Sequence, residues 1–199
     1  MKTLIFLMLG LSVYGNATAV TPGAAASAAV PLSYQRAQSA VMAYLSAIDT
    51  PITPSVWQAL GSQAIGPLQE VIRDRSSFPT RCAKALEGLS WISGEEALPL
   101  LRAAARDSSE PAVVRFAALR GIAQVVDKAA LSGELRPLLE GAADARVRAF
   151  AGAQLTSRDA WAYCGLVKAQ ADRETAEQRP QFERALKNCT TEPHQLDQQ

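Results

Sequence analysis

The sequence predicts an all-α chain: a right-handed helical solenoid of stacked helix pairs, closed by a C-terminal helical hairpin. Self-similarity is the first observation behind this. Pro67-Leu68-Gln69-Glu70-Val71-Ile72-Arg73-Asp74, Pro99-Leu100-Leu101-Arg102-Ala103-Ala104-Ala105-Arg106-Asp107 and Pro137-Leu138-Leu139-Glu140-Gly141-Ala142-Ala143-Asp144 each carry a proline, a leucine, an apolar helical stretch and a closing aspartate. Their prolines lie 32 and 38 residues apart, a spacing typical of units that bury their apolar faces only by stacking on one another. The second observation is that apolar residues recur at three and four, with no sustained alternation of strand type. The third is the frequent punctuation of the chain by helix start and stop residues.

In chain order, Ser33 opens a helix whose stripe is Tyr34, Ala37, Val41, Leu45 and Ile48, and Asp49-Thr50-Pro51 stops it. Thr53-Pro54 opens a short helix that Gly61 closes, with proline in the first turn where its missing N–H is harmless. Ala64, Ile65, Leu68, Val71 and Ile72 share a face, as do Cys82, Ala85, Leu86 and Leu89. Ser93-Gly94-Glu95-Glu96 reads as a capping box before the helix of Leu98, Leu101 and Ala105. Ser109-Glu110-Pro111 starts the helix of Val114, Ala117, Ala118, Gly121, Ile122 and Val125. Leu131, Leu135, Leu138 and Ala142 follow, after an ill-defined start between Asp127 and Gly133 that holds the extra residues of the longer repeat. Asp144 caps a helix with Val147, Ala151 and Leu155 inward. Thr156-Ser157 begins one bearing Trp161, Cys164 and Val167, and Pro180 begins the last, with Phe182, Leu186 and Cys189. Small residues at the helix contacts, among them Ala85, Ala117, Ala118, Ala149 and Ala151, allow close axes.

Residues 1–19 read as a secretory signal: Lys2, an apolar run from Leu4 to Val13, then a small-residue cleavage site at Ala17-Thr18-Ala19. That run is too short for a bilayer, which needs roughly 20 residues, so no stable membrane anchor is expected after cleavage. Residues 20–32 form an Ala/Pro-rich lead-in, 33–156 the repeat domain, 157–190 the C-terminal hairpin and 191–199 a polar tail. The protein is expected to be exported, periplasmic or secreted. With 20 basic and 19 acidic residues there is no basic field to hold phosphates, so nucleic acid is not expected as a partner.

The three cysteines, Cys82, Cys164 and Cys189, suit an oxidising compartment with one thiol left over. Cys164 and Cys189 lie on the apolar faces of the last two helices, where an antiparallel hairpin brings them together as a disulfide; Cys82 reads as a buried thiol. The single histidine, His194, lies in the tail. Histidine-dependent hydrolysis and a zinc site therefore lack residues, no Gly-rich phosphate loop or dinucleotide fingerprint stands in the sequence, and no catalytic residue, metal or cofactor is expected. Trp57, Trp91 and Trp161 read as packing residues.

Val114-Arg115 and Val147-Arg148 lie 33 residues apart, with Thr80-Arg81 near the same place one unit earlier, each before an alanine-rich stretch. With Ala97-Leu98-Pro99-Leu100-Leu101-Arg102 opening a second helix, residues 62–156 resemble the HEAT-like repeat family. The resemblance implies HEAT-like helix pairs, and a structural ladder of turn aspartates and first-helix arginines: Asp74 with Arg81, Asp107 with Arg115, and Asp144 with Arg148. It implies little about function beyond a surface that holds a partner.

The expected function is therefore a non-catalytic, exported protein-binding scaffold or adaptor, taking a protein or peptide on the face of the second helices. Glu70, Arg102 and Glu140 each follow a repeat proline by three residues, and Arg73 and Arg106 lie a turn beyond Glu70 and Arg102. This mixed-charge row is the expected partner-binding face. The alternatives are a carboxylate-dependent enzyme or enzyme subunit, and a purely structural envelope component.

Overall fold

A computed structural model describes residues 33–48 and 52–190. The expected signal, lead-in, Asp49-Thr50-Pro51 stop and polar tail with His194 lie outside those residues. Among the described residues there is no strand. The helices are α1 (Tyr34–Ser46), α2 (Pro54–Leu60), α3 (Ile65–Arg73), α4 (Pro79–Ser93), α5 (Leu98–Arg106), α6 (Ala112–Val125), α7 (Lys128–Gly141), α8 (Ala145–Arg158), α9 (Ala160–Arg173) and α10 (Glu183–Lys187). Short 3-10 segments at Ser62–Ala64, Gly94–Ala97 and Arg179–Phe182 lead into α3, α5 and α10.

The architecture is a helical solenoid. Its spine is α4, α6 and α8, with α4 packed on α6 and α6 on α8. Helices α3, α5 and α7 pair with α4, α6 and α8 in turn. Each contributes a fully buried leucine just after its repeat proline: Leu68, Leu101 and Leu139. Burying a leucine contributes roughly 1.5–3 kcal/mol, so the repeat marks the residues that hold the stack. Alanines 85, 117, 118, 149 and 151 line the contacts and are buried. Two glycines bring neighbours closer still: a Cβ on Gly88 would lie 2.8 Å from the Trp57 ring, and one on Gly121 2.6 Å from Leu101.

Local signals act mostly as read. Ser33 caps α1 by accepting from the Arg36 N–H at 3.4 Å, Gly61 ends α2 with φ of 64°, and Asp144 caps α8 through the Arg146 N–H at 2.8 Å. Four readings are corrected. The capping box at Ser93 does not form: Ser93 is the last residue of α4, its hydroxyl is buried without a partner, and Gly94 (φ 54°) stops the helix instead. The left-handed conformation, open to glycine, overrides the serine–glutamate spacing.

Helix α8 runs past Thr156 to Arg158, because the buried Thr156 hydroxyl donates back to the Gly152 carbonyl at 3.1 Å. Asp159 then ends α8 and caps α9, accepting from the Ala162 N–H at 3.0 Å. Trp161 is not packed inside: it is 92% exposed, since the face of α9 turned to α8 is Val167, Gln170 and Ala171. Ile48 likewise leaves its expected stripe and is exposed, because α1 ends at Ser46 and the extended backbone of Ala47 breaks the helical period.

The repeat prolines occupy different places. Pro67 and Pro99 fall in the first turn of α3 and α5, whereas Pro137 lies inside α7, which Asp127 starts by accepting from the Ala130 N–H at 2.7 Å. The longer third repeat thus extends its second helix at the N-terminus.

Candidate functional site

The chain turns from a second helix into the next spine helix three times, and one residue on each spine helix caps the helix left behind. In α6, the buried Arg115 donates from Nε to the Ala105 carbonyl at the end of α5, 3.1 Å. In α8, Arg148 donates to the Ala142 and Ala143 carbonyls at the end of α7, 2.5 and 3.0 Å. The α4 residue 33 positions before Arg115 is Cys82, whose buried thiol lies 3.5 Å from the Val71 carbonyl of α3. Arg81 is thereby released from the turn, and its guanidinium lies over the Phe78 ring, 5.4 Å from the centroid.

The turn that carries Phe78 is built locally. Asp74 accepts from the Ser76 N–H and hydroxyl (2.9 and 2.7 Å) and from the Ser77 hydroxyl (3.0 Å). Those hydroxyls and the N–H hold the Asp74 carboxyl below the usual range. Phe78, in extended backbone before Pro79, is left 66% exposed at the start of α4. Around it lies a groove of about 330 Å³ lined by Met42, Glu70, Val71, Asp74, Ser76, Ser77, Phe78 and Arg81. Met42 is also exposed, so the groove has an apolar rim, two carboxylates and a guanidinium.

The Tyr34 hydroxyl donates to Glu70 at 2.8 Å, tying the first turn of α1 to one wall; that carboxylate in turn pushes the phenol's pKa up. The groove lining includes one carboxyl held away from its ordinary pKa. Its shifted carboxyl, Asp74, moves down, whereas a general acid needs an upward shift. Burial pushes the Cys82 thiol up, away from nucleophilic use.

The sequence-marked residues of the second helices lie at the surface, and each has a partner within the fold. Arg102 donates from Nε to both Glu134 carboxylate oxygens, at 3.1 and 3.0 Å, and Arg106 lies 3.8 Å from the same carboxylate. Arg73 donates to Gln69 at 3.2 Å, and Glu140 accepts from Arg136 at 2.9 Å. Within the row, Arg102 and Arg106 share the Glu134 carboxylate and Glu140 pairs with Arg136, while Arg73 and Glu70 have only the neutral partners Gln69 and Tyr34; of its members only Glu70 lines the groove. The aspartates and arginines of the expected ladder all stand at turns, each with other partners. Asp107 accepts from Ser109 and from Arg75 of the preceding turn (3.3 Å), and Asp144 binds Arg146. Arg148, besides its carbonyls, binds the buried Glu174 through Nε at 2.6 Å.

Cys164 and Cys189 form a disulfide, with Cα atoms 5.6 Å apart. Reading the sequence missed Phe78, Glu134 and Glu174. It also missed a stacked ring pair, Phe116 and Phe150, with centroids 4.7 Å apart. The 34-residue spacing of those two phenylalanines, close to the repeat length, is the signal that marks them.

A second groove, about 440 Å³, lies between α1 and α2 and is lined by Ala40, Tyr44, Ser55, Val56, Ala59 and Leu60. It has no ionic group to orient a ligand. Among the described residues no three His, Cys, Asp or Glu side chains converge as a metal site would need, and no helix is long and apolar enough to cross a membrane. No family model matches the sequence, and neither the curated proteins nor the solved structures contain a match.

Proposed function

We propose that the chain is a non-catalytic, exported protein-binding scaffold built of HEAT-like repeats, and that it grips a partner at the groove around Phe78. The observation that carries this reading is the two-thirds exposed Phe78 ring beside Met42, with the Arg81 guanidinium over it. An exposed aromatic anchor beside an arginine, in a concave site on a rigid scaffold, has the composition of an interaction hot spot. The disulfide suits an oxidising compartment and supports export, as does the signal-like N-terminus.

Photo-crosslinking tests it. Benzoylphenylalanine replaces Phe78 in one protein and Trp161, exposed at the other end, in a second, both expressed with the native N-terminus. One dominant protein adduct from position 78 and not from 161 is expected. Equal adducts from both positions, or none at 78, would sink the reading. Charge reversal at Arg102 and Arg106 would be a poorer probe, because it breaks the internal pairing with Glu134.

A further inference from the structure

Each spine helix shows solvent one narrow stripe. Of residues 82–90 in α4, all but Lys84 and Glu87 are buried; of 114–123 in α6, all but Phe116 and Arg120; of 147–156 in α8, all but Phe150, Gln154 and Arg148, the last off the stripe on the opposite side of the helix, where it pairs with Glu174. One helical turn beyond these lie Trp91, Gln124 and Arg158, and Arg81 lies one turn before Lys84. Because α4, α6 and α8 pack side by side, the stripes join into one face. Phe116 stacks on Phe150 across it, and Arg120 lies 5.8 Å above the Phe150 ring.

The charge on this face is one-sided. Arg81, Lys84, Arg120 and Arg158 stand against Glu87. Lys84 and Arg158 each donate to a helix-end carbonyl, Ala47 and Ala123, and Arg81 and Arg120 each lie over a ring. None of the four forms an ion pair among the described residues, although eight such pairs form elsewhere. On a nearly neutral chain, unneutralised cations flanking stacked rings select for anionic groups and for further rings.

We propose that the α4–α6–α8 face binds an acidic segment of a partner protein that carries aromatic side chains. The carboxylates would meet Arg81, Lys84, Arg120 and Arg158, and a ring would add to the Phe116–Phe150 stack. This rests on the protein-binding reading above, though not on the groove, and it supplies the partner's chemistry and path. Arg81 belongs to both surfaces, so a bound segment can run from one to the other.

The probe is a labelled random copolymer of glutamate and tyrosine, titrated at about 0.15 M salt, where long-range attraction is screened, into protein beginning at residue 20. Polyglutamate and heparin are run in parallel. Saturable copolymer binding is expected, weaker for polyglutamate, and weakened roughly tenfold by Arg120→Glu but not by Arg136→Glu on α7. The circular dichroism spectra and melting curves of both variants verify folding, and Arg120→Gln, with an intermediate loss, serves if Arg120→Glu does not fold.

No copolymer binding, equal loss in Arg136→Glu, equal binding of polyglutamate, or Arg120-dependent binding of heparin alone would each overturn the proposal. A specific adduct at position 78 beside a copolymer blank removes this inference and leaves the protein-binding function standing; failure of both removes both.

Discussion

The turn from α3 into α4 and the turn from α7 into α8 do the same work by unlike means. Each must satisfy carbonyls at a helix end, which have no intrahelical donor. At the α7–α8 turn Arg148 reaches them with a charged fork and is itself held by the buried Glu174, which also accepts from Gln170 at 2.9 Å. At the α3–α4 turn a small, weak donor, the Cys82 thiol, faces a single carbonyl. The strong version fixes the closing end of the stack, where the disulfide also lies. The weak version leaves Arg81 and Phe78 facing solvent. The Arg148–Glu174 pair and the disulfide thus stand at one end of the solenoid and the exposed Phe78 at the other, and a one-residue difference in where the arginine stands separates the two turns.

The largest effect is expected from Arg148→Met. It strands the Glu174 carboxylate in the interior and removes the donor to two carbonyls, which should destabilise the protein by about 3–5 kcal/mol. Chemical denaturation at neutral pH measures it. Arg148 holds the Glu174 carboxyl below its ordinary value, with Gln170 assisting. Its stabilising contribution is therefore full above the ordinary carboxylate range and is lost as pH falls through the lowered native value. In the variant an unpaired buried carboxyl prefers its proton, so the stability gap between the two proteins should narrow on acidification through that range. A gap independent of pH would show that packing, not the ion pair, carries the effect.

Opening the disulfide comes next. It closes a 25-residue separation, for which the chain-entropy model gives roughly 3 kcal/mol. The Cys164→Ser, Cys189→Ser double variant should lose about that much, with the buried Val167 of α9 and Phe182 just before α10 protected less from hydrogen exchange than Leu86 in α4. Uniform loss of protection along the chain would mean that the two ends are less separable than their turns suggest.

What the residues disclosed in advance follows the same division. The helix period, the proline–leucine repeats and the cysteine pair were legible, because each rests on local spacing or on short-range geometry. The groove was not, because Phe78 looks like any loop aromatic until the Asp74 turn fixes it outside. The internal pairing of part of the charged row on the second helices was hidden for a related reason. Glu134 sits 32 residues beyond Arg102, outside the aligned repeats, so its neutralising role becomes visible only when α5 and α7 are stacked. Trp161 and the Ser93 box failed where a tertiary face, or a glycine stop, overrode a sound local pattern.

Between the two turns lies α5–α6, which sharpens the comparison by gradation. Arg115→Ala should cost about 2 kcal/mol, since it leaves the Ala105 carbonyl buried without a donor. Filling space has a comparable cost: Gly88→Ala drives a methyl into the Trp57 ring and should destabilise by roughly 1–3 kcal/mol.

The smallest effect belongs to Cys82→Ala, about 1 kcal/mol, because a thiol is a weak donor and little volume is lost. The informative partner to it is the double change Cys82→Arg, Arg81→Ala, which moves the cation to the position it holds in α6 and α8. If the turns are interchangeable solutions, the double variant should regain the stability lost in Cys82→Ala while losing crosslinking from benzoylphenylalanine at position 78, since the guanidinium would leave the side chain at 78 for the Val71 carbonyl. Stability regained with crosslinking intact would show that Phe78 needs no arginine. Crosslinking lost without a gain in stability would show that α3 and α4 are set too close for the charged fork, and that the thiol stands there because nothing larger fits.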